Sequence, residues 1–161
     1  MRTRLPSGAG FSLRFFGYVL LFCIIFWWGS LHENLGPVQR TMASWSTHGQ
    51  QWVGGHAVAR GDNVVIGSMV MNINHECTGV FVYMLFISFV LAYPVHWTAR
   101  AAGLAVGVPL MFVVNVVRLA TLARVAEIYP QAFFYLHEYV WQGVFTVLVL
   151  VGAIAWAEHC E

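Results

Sequence analysis

Four apolar runs decide what this chain can fold into. Phe15–Leu31, Thr78–Val95, Ala101–Val117 and Tyr139–Ala157 each approach the ~20 residues with which an α-helix crosses a hydrocarbon core about 30 Å thick. Inside lipid every backbone N–H and C=O must be satisfied internally, so continuous runs of this kind are read as helices. Hydrophobic residues make up 59% of the 161 and charged ones 9%, far from the balance of a soluble domain. The expected class is an all-α integral membrane protein. It is read as one domain over residues 1–161, a bundle of about four transmembrane helices. All eight basic residues are arginine and the formal charge is +1, which argues against nucleic acid as a partner.

Between the runs the chain is punctuated. Met1–Gly10 carries Arg2, Arg4, Pro6 and two glycines and reads as a short tail. Arg14 and the pair Trp27-Trp28 suit opposite interfaces of the first span. Trp-Trp-Gly-Ser-Leu-His is a poor small-residue cleavage site, so this span is read as uncleaved. Residues 32–77 form the substantial polar segment. Leu35, Val38, Met42, Trp45 and Trp52 recur at helical spacing, which predicts an amphipathic helix on the membrane surface. Beyond Gly54-Gly55, His56–Arg60 and Val64–Ile73 read as two strands around Gly61-Asp62-Asn63, a β-hairpin between spans 1 and 2. His96–Arg100 is expected to be a tight polar connection, Pro109 a tolerated kink, and Arg118–Leu136 a mixed stretch broken at Pro130. Arg2, Arg4, Arg14 and Arg100 on the cytoplasmic side would put both termini inside and residues 32–77 outside.

Four crossings bring Cys77, Arg118 and His137 to one membrane face, although 60 residues separate the first from the last. A free thiol with pKa ~8.5 is mostly protonated at neutral pH and must become a thiolate to attack. The positive end of the second span favours that change. His137 can take the proton and return it to a leaving group. Backbone donors at Thr78 and Gly79, or Arg118 itself, can hold an oxyanion. Asn115, three residues before Arg118, can orient the guanidinium or bind a peptide carbonyl, and Glu127 or Glu138 can supply its counter-charge. Glu76 opposes thiolate formation. Taken singly, such a Cys is more often a small hydrophobe, such an Arg an anchor and such a His an interfacial residue. Their joint position favours an enzyme.

Other chemistries fit less well. Cys23 and Cys160 form no C-x-x-C with Cys77, which a thiol oxidoreductase would need. His56, His75, Cys77 and His137 are conceivable zinc ligands, yet His137–Trp141 lacks the second His of H-E-x-x-H. No metal and no cofactor is expected. The non-enzymatic alternative is a membrane scaffold, or an accessory protein of export or polysaccharide assembly.

The ordered set Cys77-Thr78-Gly79, Asn115-Val116-Val117-Arg118 and His137 resembles the exosortases and archaeosortases, multi-span membrane cysteine transpeptidases. The match runs from about Val64 to Trp156. Many members have around eight spans, so a chain with room for four resembles the compact subgroups. The resemblance implies recognition of exported proteins by a C-terminal sorting signal of motif, transmembrane helix and basic tail. Cleavage through a thioacyl intermediate at the outer face of the cytoplasmic membrane is then implied, with transfer to a surface acceptor. It implies Cys77 as nucleophile, His137 as general base and acid, and Arg118 as orienting or oxyanion-stabilising group. Asn115, Thr78, Gly79 and Glu138 stand around them as substrate-binding or supporting residues.

Overall fold

Apolar sequence, prolines and positive-φ glycines set the boundaries of every element. The computed structural model describes residues 8–31, 36–52, 54–67, 69–74 and 77–160. Arg2, Arg4, Pro6, Leu35, His75 and Glu76 lie outside them. The chain is an all-α membrane protein with a small antiparallel sheet. Among the described residues three helical stretches are long and apolar enough to cross a bilayer, and a fourth apolar helix is shorter.

Helix α1, Gly8–Leu31, starts well before the expected Phe15. It runs antiparallel to α3, Val80–Ala92, with Phe11 against Phe89 and Phe26 against Phe81. The second expected span, 78–95, is corrected to these 13 residues, about 20 Å of helix. Both ends have a local cause. Gly79 has φ +71°, a left-handed conformation that helix cannot extend through. Tyr93, ahead of Pro94, is extended at ψ 136°, as a residue before proline prefers.

The third expected span, 101–117, proves to be part of a longer helix. α4 covers Trp97–Ile128, 32 residues or about 48 Å. His96–Arg100 is therefore mostly helix rather than connection, and Pro109 is accommodated within it. Tyr129-Pro130 ends α4 as expected. The fourth span is also longer than 139–157. α5, Pro130–Tyr135, passes through a π-helical turn at Leu136–Val140 into α6, Trp141–His159.

Glycines let these helices meet. A Cβ on Gly107 would run into the Phe86 ring, and one on Gly103 into Trp156 Nε1. Phe86, Val90, Met111, Phe145, Val149 and Ala153 form the core between α3, α4 and α6. At one end of the bundle Phe11, Phe89, Tyr93 and Trp156 cluster edge to face. Arg100 there lies over the Trp97 ring and donates to Tyr93 O at 3.0 Å. Such a belt suits a membrane interface.

At the other end sits the polar segment. Helix α2, Gly36–Trp52, packs along α4, with Gly49 against Ala120. Its protein-facing side is distinct from most of the apolar stripe. Met42, Ala43, Ser46, Thr47 and Gln50 face inward, while Val38, Trp45 and Trp52 (93% exposed) face outward. Small side chains allow the close approach to α4 and the sheet, which leaves the large ones outside. The expected hairpin is a three-stranded sheet, β1 Val58–Arg60, β2 Asn63–Ile66 and β3 Met69–Asn72, in that order. Val64–Ile73 does not run as one strand because it turns at Gly67, φ +57°. One face of the sheet contributes Val64, Ile66, Met71 and Ile73 to a core with Met42, Ala43, Leu119, Ala123 and Ala126. Cys77 belongs to that core.

Candidate active site

Arg118 stands about 32 Å along α4 from Trp97, and His137 about 33 Å back from His159. Each rise nearly equals a hydrocarbon core. Both side chains therefore reach the end of the bundle where the sheet delivers Cys77.

Cys77 is held by the stretch before it. Its N–H is donated to both Asn74 O (3.2 Å) and Asn74 Oδ1 (3.1 Å), an Asx-type turn. From the other side the Asn115 amide donates to Cys77 O at 3.1 Å and Thr78 O at 3.2 Å. Asn115 is fully buried, and the same nitrogen lies 3.6 Å from Met42 Sδ. Asn115 thus grips two carbonyls of its own chain and not the Arg118 guanidinium. Gly79 then turns the chain into α3. A Cβ there would be 2.9 Å from Phe145 Cε1 and 3.5 Å from Asn115 Oδ1.

The sulfur and the imidazole meet. Cys77 Sγ and His137 Nε2 are 3.4 Å apart, and Cys77 is only 3% exposed. His137 projects from the π-helical turn, a widening of α-helices that is frequent at functional sites. Phe133 stacks on its ring with centroids 5.7 Å apart. Glu138 Oε2 lies 3.8 Å from His137 Nδ1.

Arg118 completes the cluster. It is 5% exposed, interacts electrostatically with Cys77, and its guanidinium carbon is 6.0 Å from the Phe145 ring centre. Neither expected counter-charge reaches it, because Glu127 pairs with Arg124 at 2.6 Å and Glu138 faces His137. Among the described residues Arg118 Nε and Asn115 Oδ1 are buried without hydrogen-bond partners. A buried cation with no paired carboxylate is costly unless something anionic arrives.

Sequence reasoning named Cys77, Thr78, Gly79, Asn115, Arg118, His137 and Glu138, and all seven converge here. It missed Phe145 and Phe133, which look like any other aromatic in their apolar surroundings. It also missed Asn74, whose spacing to Cys77 is a readable turn signal. Among the described residues no three His, Cys, Asp or Glu side chains cluster as a metal site would require.

No curated protein and no solved structure matches the chain. The family model described as transmembrane exosortase matches residues 7–156, nearly the whole sequence, and the chain belongs to that family.

Proposed function

We propose that this chain is a membrane cysteine transpeptidase. It would cleave exported proteins at a C-terminal sorting signal and pass the acyl group to a surface acceptor or to water. The observation that carries this reading is the 3.4 Å approach of Cys77 Sγ to His137 Nε2. In the first half-reaction His137 Nε2 takes the thiol proton, and the sulfur attacks the carbonyl carbon of the scissile peptide bond. Arg118, unpaired among the described residues, meets the oxyanion that forms. The C–N bond then breaks, the imidazolium protonates the departing amine, and a thioacyl enzyme remains. In the second half, His137 deprotonates the incoming amine, hydroxyl or water. The new bond forms, and Cys77 leaves as thiolate. Glu138 supports the imidazolium, while Asn115 and Gly79 fix the backbone around the nucleophile. Thr78 contributes backbone groups at the same turn.

The proposed setting is the cytoplasmic membrane, with the site on the outer face and both termini inside. A signal's transmembrane helix would then present the adjoining peptide at the depth of Cys77.

The test is co-expression with a neighbouring gene product that ends in a short motif, an apolar helix and a basic tail. Processing is followed by gel shift and mass spectrometry. Cleavage lost in Cys77→Ala at normal membrane levels supports the nucleophile, and the mass of the new C-terminus separates hydrolysis from transfer. Normal processing by Cys77→Ala refutes the enzyme reading in favour of a scaffold.

A further inference from the structure

The sheet ends in an edge, and the edge runs past the sulfur. Strand order makes β3 an outer strand, paired to β2 from Asn63↔Asn72 to Ile66↔Met69. The phase of that ladder is set by Ile73 N–H, which donates to Asp62 O at 2.9 Å. In an antiparallel pair, residues that exchange hydrogen bonds alternate with residues that do not. Met69 and Met71 therefore turn their peptide groups toward β2, and Val70 and Asn72 turn theirs away. Among the described residues no backbone group pairs with that outward side. Cys77 Sγ lies 4.0 Å from Asn72 O, one of the outward carbonyls. On the sulfur's other side stands His137.

An edge strand with free N–H and C=O groups is a template for another extended chain. Here the template leads to the nucleophile. Val70 is 59% exposed. The Asn72 side chain is tied back to Asp62 and Asn63, which keeps it off the outward carbonyl. We propose that the substrate binds as an added fourth strand on β3, hydrogen-bonded to the backbone of Val70 and Asn72, with its scissile bond carried to Cys77. The partner is an extended peptide segment, recognised first through its main chain. This inference rests on Cys77 being the nucleophile. It adds that residues 69–72 form the substrate-binding track, and that the sheet between α2 and α3 exists to offer it.

The test uses the full chain in detergent with Cys23→Ser and Cys160→Ser, which leaves one thiol. The probes are iodoacetamide, acetyl-Ala-Ala-Ala chloromethyl ketone, and two analogues of the ketone N-methylated at successive peptide nitrogens. With each probe the Cys77 sulfur displaces halide and forms an S–C bond, and mass spectrometry follows the rate. A strand offers only every second N–H to a given neighbour. One methylated analogue should therefore label about tenfold more slowly, the worth of one to two hydrogen bonds, and the other close to the parent rate. Val70→Pro removes an outward N–H and leaves the β2 ladder intact, as prolines on edge strands do. In that variant the alternation should vanish while iodoacetamide labelling stays within twofold. Val70→Thr should keep the alternation. Equal labelling by both methylated analogues in the otherwise unaltered protein, or alternation surviving Val70→Pro, overturns the added strand. If His137→Ala leaves iodoacetamide labelling unchanged, the nucleophile reading itself has failed, an outcome separable from failure of the edge alone.

Discussion

Replacing Gly79 with alanine tests how tightly the turn before α3 is built. Two costs are expected. The first is conformational: φ +71° is left-handed, and a Cβ there costs roughly 1–2 kcal/mol. The second is steric: the new methyl would sit 2.9 Å from Phe145 Cε1, and that ring is 2% exposed in the core of α3, α4 and α6. Overpacking of this kind costs roughly 1–3 kcal/mol. Gly54 separates the two, because it has φ +79° and nothing within 4 Å of a built Cβ. Gly54→Ala should therefore lose roughly 1–2 kcal/mol and Gly79→Ala roughly 2–5 kcal/mol. The assay is SDS titration in mixed micelles followed by tryptophan fluorescence. Because Phe145 also underlies Arg118, Gly79→Ala should reduce substrate processing about 100-fold, the scale of a 1 Å misplacement. Gly54→Ala should process normally. Equal stability of the two variants would refute the packing argument, since the left-handed cost is common to both.

Three further outcomes follow from the same geometry. His137→Ala should lower the rate of processing by 10²–10⁴-fold, roughly the worth of a general base, with little change in the amount of protein in the membrane. Arg118→Met should abolish processing yet raise resistance to SDS by about 1 kcal/mol or more, because a buried cation that no carboxylate among the described residues pairs is replaced by an apolar chain of similar length. An Arg118→Met protein less stable than the parent would show that the guanidinium is held by contacts worth more than its desolvation. Gly107→Ala should destabilise by roughly 1–3 kcal/mol through the Phe86 ring, and Phe86→Leu in the same chain should recover part of that loss in a double-mutant cycle.

The residues that carry polar chemistry were legible in the sequence because they are rare against an apolar background. Cys77, Arg118 and His137 stood out at the ends of apolar runs, and counting crossings put them on one face. What hydropathy could not supply was the true extent of the helices. Arg118 and Arg124 look like the end of a span, yet α4 continues through them to Ile128 because its outer third packs on α2 and the sheet instead of lipid. The opposite error occurred in α3, where the apolar run 78–95 contains only 13 helical residues, since apolarity does not register a left-handed Gly79 or an extended Tyr93. Partner choice was also hidden. Asn115 and Arg118 share a helix face, yet the Asn115 amide bonds to Cys77 O and Thr78 O, carbonyls 37 and 38 residues away in sequence.

The mismatch between these two helices explains where the site lies. α4, at about 48 Å, exceeds a 30 Å core by about three turns, while α3, at about 20 Å, falls short of it by nearly two. The long helix therefore carries Asn115 and Arg118 about one core thickness from Trp97 and continues past them as a shaft for α2 and the sheet. The short one stops there, and the turn that replaces its missing residues is Cys77-Thr78-Gly79. Backbone carbonyls exposed by such a stop need donors at a depth where water is scarce, and Asn115 supplies them. A thiol built into the gap between a short helix and a long one is buried, with Cys77 3% exposed, yet adjoins the β3 edge. Lengthening α3 by one helical turn directly after Gly79 would fill that gap. Such an insertion should leave membrane insertion intact while moving Cys77 by about 5 Å, out of reach of His137.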